Sequence, residues 1–277
     1  MNNEKGFTLI ELLVAMVIST ILLGAAMYTY TKQDNLLRTE NKNLKLRDYV
    51  RLAMDQLDNN LRMTGAGFPP GDSDAGRPAR GVSNAEADTI TFMANTEGIS
   101  TNADFDMAVA SNGFLVPSGS AASFAPNDTV VFFNAEDPLD WNQRTIGTIS
   151  AVTVFGINHD SIVWSAGVNG FNFEPLDDSV AVVINQYHTY ILAYNAGTQT
   201  ITESVDGAAA VAIASQVSSL TFSYWDADGT ALTTFPLSAA DLGNVRRVQI
   251  MIIVVDDDDP TVTATLITDV NMRNMGI

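Results

Sequence analysis

The chain has 277 residues, of which 46% are hydrophobic, no cysteine, and a formal net charge of −18 from 14 Lys and Arg against 32 Asp and Glu. Thiol catalysis and disulfide stapling are excluded, and nucleic-acid binding through phosphate contacts, which needs clustered Lys and Arg, is disfavoured. The first predicted element is an apolar helix that begins within Lys5-Gly6-Phe7-Thr8-Leu9-Ile10-Glu11 and stays apolar to Met27. From Phe7 to Tyr30 there are 24 residues, which as a helix span about 36 Å, enough for a bilayer core of about 30 Å. Glu11 is the anomaly in that run, because an acidic residue at the centre of a membrane helix costs about 2.5 to 3.5 kcal/mol unless it is paired. Its place near one end lowers that cost.

The helix is predicted to continue to Met63. No proline precedes Pro69, and Leu46, Val50, Ala53, Leu57 and Leu61 form one apolar stripe at helical spacing. Lys45, Arg47, Asp48, Asp55, Asp58 and Asn59 are expected on a mostly solvated opposite face. Gly65, Gly67 and Pro69-Pro70 end the helix. The remaining three quarters of the chain read as β structure, with strands predicted at 89–94, 129–134, 145–155, 161–165, 180–184, 189–194 and 199–203. Three longer, more apolar strands, 217–225, 245–255 and 261–268, are expected to form the core sheet under the amphipathic half-helix. Residues 71–87 read as a loop, and 95–127 as a surface segment. The predicted fold class is α+β: one long N-terminal helix, half membrane-type and half amphipathic, packed on a β-rich C-terminal head.

Charge divides at the same place. Residues 1–67 carry eight Lys or Arg and seven Asp or Glu, net +1, while 68–277 carry six Arg and 25 acids, net −19. Two acidic clusters, Asp226 to Gly229 and Asp256 to Asp259, have oxygen-rich spacing, but each reads as a strand-connecting turn in solvent and no residue is assigned to a metal. His159 and His188 have no triad or metal-ligand spacing. Trp141, Trp164 and Trp225 read as core aromatics before a ligand groove. No catalytic residue and no cofactor is assigned, and the chain is not read as an enzyme. A deep polar pocket containing His159 or His188 would be the sign of one.

The stretch KGFTLIELLVA, residues 5–15, resembles the processing site of type IV prepilins and of the pseudopilins of type II secretion. An ordinary signal peptide fits less well, because no small-residue cleavage site follows the apolar run. A plain anchor would leave the Gly-Phe junction and its spacing to Glu11 as accidents. Three C-terminal stretches, 213–229, 245–255 and 268–274, look like the ending of PilW-type minor pilins and the related J-type pseudopilins. The resemblance implies cleavage by a prepilin peptidase between Gly6 and Phe7, N-methylation of Phe7, and a role for Glu11 in subunit assembly, its carboxylate meeting a neighbour's N-terminal amine. The domains it implies are a leader at 1–6, a transmembrane and fibre-core helix at 7–30, its amphipathic continuation at 31–67, and an acidic head at 68–277.

The implied partners are other pilin subunits, met through the N-terminal helix, the prepilin peptidase and the bacterial inner membrane. The head then lies in the periplasm or outside the cell, and nucleic acid is not a partner. Lys32, Arg38, Lys42, Lys45 and Arg47 lie beyond the apolar run, and a positive-inside count alone would put the head in the cytoplasm. The resemblance puts the leader there instead. A head larger than a typical major pilin's implies a minor subunit that takes part in pilus assembly, at initiation or the tip. A J-type pseudopilin and a membrane-tethered ligand-binding module are the alternatives. The proline that many type IV pilins carry where the helix leaves the membrane is absent, with Tyr28 in its place and Gly24 the local weak point.

Overall fold

Helix α1, Leu9–Arg62, runs unbroken for 54 residues, about 81 Å at 1.5 Å per residue. The structure is a computed structural model that describes residues 9–69, 81–103, 105–106, 113–135, 141–154, 156–165 and 182–272. The helix passes through Gly24 without a break. In the apolar half the hydroxyls of Thr20, Thr29 and Thr31 donate to the carbonyls of Val17, Ala25 and Tyr28 at 2.8, 2.9 and 2.9 Å, so these polar groups are satisfied within the helix. The helix ends as its glycines require. Gly65 and Gly67 adopt φ of 75° and 83°, a region that disfavours side chains.

The strands are β1 Val82–Ala85, β2 Thr89–Ala94, β3 Ser100–Ala103, β4 Phe105–Asp106, β5 Gly113–Pro117, β6 Thr129–Asn134, β7 Trp141–Val154, β8 Ile157–Trp164 and β9 Val182–Asn195. They continue with β10 Thr200–Val205, β11 Val211–Ala214, β12 Val217–Trp225, β13 Ala231–Leu232, β14 Arg247–Val255 and β15 Thr263–Asn271, with a short helix α2, Ala239–Asn244, before β14. Among the described residues they form two antiparallel sheets. The larger follows the order β1-β2-β9-β6-β7-β8-β5-β4, with β10, β11 and β3 joined through β9, and the smaller is β13-β12-β14-β15.

The helix lies on the smaller sheet, as its stripe predicts. Leu46, Val50, Ala53, Leu57 and Leu61 are buried, and Met54 joins them, in one core with Leu220, Phe222 and Tyr224 of β12 and Val248, Ile250, Ile252 and Val254 of β14. The alternation along β14, with every second residue buried, is the period-2 signature of a sheet with one covered face. A second core, around Phe114, Phe132, Ile146 and Ile184, lies in the larger sheet. There Trp164 stacks on Phe132 with centroids 5.3 Å apart and meets Phe114 edge-on.

Three expectations are corrected. The segment 95–127 is not simply surface: it holds β3, β4 and β5, and Phe114, Leu115 and Val116 are buried. Gly113 allows that approach, since a Cβ there would lie 2.0 Å from the Ile162 carbonyl oxygen. The loop expected at 71–87 contains β1, while its residues 71–80 lie outside the described residues. The strands expected at 180–184 and 189–194 are one strand, β9. Residues 185–188 fall between the two expected strands, yet Asn185 and Gln186 are buried in mid-strand, where the Asn185 amide donates to the Gly67 carbonyl at 2.5 Å and the Gln186 N–H donates to the Ile99 carbonyl at 3.1 Å.

The junction where α1 enters the larger sheet is tightly built. Gly65 N–H donates to the Met93 carbonyl, and Asn95 N–H to the Ala66 carbonyl, both at 2.8 Å. A Cβ on Gly67 would meet the Asn95 Cβ at 2.6 Å. Gly67→Ala is therefore expected to destabilise the protein by about 1–3 kcal/mol, combining a positive φ with overpacking. Urea unfolding of both proteins in the same detergent checks it, and an unchanged midpoint would show that the junction yields freely.

Candidate functional site

The half of α1 that does not touch the head is the candidate site. From Leu9 to Asn41 every residue but Asp34 is exposed, although the stretch from Leu9 to Leu23 is almost wholly apolar. It is the one helix among the described residues long and apolar enough to cross a membrane. Glu11 lies in its first described turn, lining a shallow groove with Ile10, Val14, Ala15 and Ile18. It is the single charged residue between Leu9 and Thr31. Gly6 and Phe7 lie outside the described residues.

The head takes hold of α1 at Lys42. The Lys42 ammonium donates to Asp256 Oδ1 at 2.7 Å and lies 3.9 Å from Asp258 Oδ2. The same Asp256 oxygen accepts from the Asp258 and Asp259 N–H groups at 3.1 and 2.9 Å. Two turns of helix further on, the Tyr49 hydroxyl contacts Ser215 at its N–H and, at 3.0 Å, at its hydroxyl. The acidic stretch 256–259 is thus not only a solvated turn: a lysine of the helix supplies its counter-charge. No local pattern marks this pair, because the partners are 214 residues apart.

Hydrogen bonding to Asp256, with the neighbouring carboxylates adding attraction, raises the Lys42 pKa, and the same bond lowers that of Asp256. The pair therefore favours the folded state only while both groups are charged. Its contribution is lost as pH falls through the depressed Asp256 value, below the usual carboxylate range, and as pH rises through the raised Lys42 value, above the usual lysine range. Lys42→Gln is expected to speed amide exchange around residues 38–46 at neutral pH, and acidification below the Asp256 value should erase the difference from wild type. A difference that persisted in acid would show that Lys42 acts by packing rather than by charge.

The remaining candidates have structural partners. His159 is buried in β8. His188 in β9 bonds through Nδ1 to Asp206 Oδ2 at 2.6 Å and stands 3.9 Å from Glu97. Asp226 caps its own turn, as read from the sequence, accepting from the N–H groups of Asp228 and Thr230 at 3.0 and 2.7 Å. Arg246 donates to the Gly243 and Val245 carbonyls, and Arg247 lies over the Trp225 ring at 4.2 Å. No group of three or more His, Asp or Glu side chains that would hold a metal occurs among the described residues. Trp141 begins β7, but its side chain lies outside what is described.

The family described as the prokaryotic N-terminal methylation motif matches residues 1–27. The chain is 34% identical over 65 residues to the pilin-like protein PilA3 of Thermus thermophilus. That match spans 24% of this chain and 28% of the relative's length. No solved structure matches. The likeness is to structural rather than enzymatic proteins. A methylation motif heads an apolar helix whose second half packs on a β-rich head, and the chain is therefore type IV pilin-like.

Proposed function

We propose that this protein is a minor pilin that takes part in assembling a type IV pilus, at initiation or at the tip. The observation that carries the reading is the exposed 9–41 stretch of α1, almost wholly apolar as far as Met27, which projects from a folded acidic head and carries Glu11 near its start. A stable isolated protein does not leave that much apolar surface to water. Lipid covers it first and neighbouring helices cover it later. In this reading residues 1–6 are the leader, removed by a prepilin peptidase between Gly6 and Phe7, and Phe7 is N-methylated. Residues 7–30 cross the inner membrane and then enter the fibre core, residues 31–67 tie the helix to the head, and 68–277 remain outside. Glu11 neutralises the terminal amine of a neighbouring subunit, so two charges that are each costly in an apolar setting are buried as a pair.

Mass spectrometry of the N-terminal peptide, from membranes and from sheared fibres, tests this. The expected result is a peptide that begins at Phe7 with one added methyl group in both fractions. An intact Met1 terminus in both would sink the assembly reading and leave a membrane-tethered module.

A further inference from the structure

We propose that α1 carries a second contact seam above the membrane, formed by Leu37 and Leu44 with Leu52 beside them, and that it docks the parallel helix of a different pilin-like subunit. This rests on the assembly reading above and adds to it a contact outside the membrane and the kind of partner.

Leu37, Leu44 and Leu52 are 63%, 55% and 68% exposed. At 3.6 residues per turn, Leu46 lies two and a half turns beyond Leu37 and so on the opposite side of the helix. Leu46, Val50, Ala53 and Leu57 bury that opposite side against the head. The head therefore cannot cover these leucines without releasing its own core stripe. Lipid does not account for them either. Leu44 lies 14 residues past Tyr30, about 21 Å beyond the end of the membrane-length run.

The spacing names the occupant. Leu9, Met16, Leu23, Tyr30, Leu37 and Leu44 recur every seven residues, and all six are more than half exposed. A seven-residue repeat keeps one edge of a helix facing a second helix wound around it. Neither a strand nor a flat lipid surface imposes that period. The seam runs from the apolar half into the soluble half without a break, and it ends where Arg51 takes the next place. Glu40 and Arg47 flank it with opposite signs, so its border repels neither charge.

Charge decides which helix. Residues 31–62 carry seven Lys or Arg and five Asp or Glu, net +2, whereas 68–277 carry net −19. Two parallel copies of this chain would set two strongly acidic heads side by side, and their facing carboxylates repel wherever they come within the screening length of about 8 Å. The fitting partner has the same kind of apolar helix beneath a less acidic head.

The chain has no cysteine, so single-cysteine variants can carry a benzophenone maleimide for photo-crosslinking in cells that assemble fibres. Leu37→Cys and Leu44→Cys are expected to capture a chain that mass spectrometry identifies by a methylated pilin-type N-terminus and a sequence different from this one. Thr39→Cys, exposed and about 200° round the helix from Leu37, is expected to yield at least fivefold less of that adduct. Equal yields at Thr39→Cys, or adducts only with a second copy of this chain, would overturn the proposal. Leu23→Cys separates the two levels of the argument. Capture of a pilin-like chain at Leu23→Cys but not at Leu37→Cys or Leu44→Cys removes this seam and leaves the assembly reading standing. No capture at any of the three, together with an unprocessed Met1 terminus, removes both.

Discussion

Glu11→Ala is expected to lower the amount of this protein in sheared fibres by about 10²- to 10³-fold while leaving its level in the membrane unchanged. Removing one partner of a buried ion pair costs about 3–5 kcal/mol, because the other charge stays buried without compensation. Here the orphaned charge would be the neighbour's terminal ammonium, in a bundle of apolar helices where no other acidic side chain of this chain's first thirty mature positions but Asp34 is on hand. Membrane insertion moves the other way, since losing a carboxylate makes an apolar helix easier to insert. The membrane level should therefore hold while the fibre level falls, which separates an assembly defect from poor expression. Quantitative blotting of both fractions reads the ratio, and Glu11→Gln tests whether charge or hydrogen bonding carries the effect. Fibres of wild-type composition from Glu11→Ala would remove Glu11 from the assembly mechanism.

Leu57→Ala is expected to destabilise the folded head-and-helix unit by about 2–5 kcal/mol, the range for truncating a fully buried leucine in a core that relaxes only in part. Leu57 has no exposed surface and sits mid-stripe in the core shared by α1, β12 and β14. For a unit of this size the melting temperature should fall by roughly 5–15 °C. Leu52→Ala, about one and a half turns away on the exposed side, serves as the control and should shift it by no more than about 1–2 °C. Circular dichroism melts of the full chain in one detergent compare the three proteins. Equal shifts at Leu57 and Leu52 would mean that the helix does not dock on the sheet as described.

Both results depend on features that sequence reading reached with different success. The core stripe of α1 was legible because it repeats at the helical period over four turns, and strands such as β12 and β14 were legible because they are long, β-branched and bounded by turn residues. β9 was not, because a local reading leaves the polar run from Asn185 out of both strands and cannot see that the Gly67 carbonyl takes the buried Asn185 amide and the Ile99 carbonyl the Gln186 N–H. β5 was missed for a related reason. Its run of buried apolar residues is three long, and Gly113 contributes by lacking a side chain, which no pattern registers.

At the candidate site, Glu11 stood out because one carboxylate in a long apolar run is costly wherever it is placed, and the cost can be read from composition alone. The long helix, its apolar half, the stripe on its soluble half and the charge imbalance between stem and head all follow in the same way from local period and residue type. The capture of the acidic turn by Lys42, the pairing order of the two sheets and the solvent-facing position of Leu37, Leu44 and Leu52 do not. Each depends on contacts between segments far apart in the chain, and a leucine has the same local preference whether its side of the helix meets a sheet or faces outward, so only the packing of the whole head on one side of α1 left those leucines uncovered.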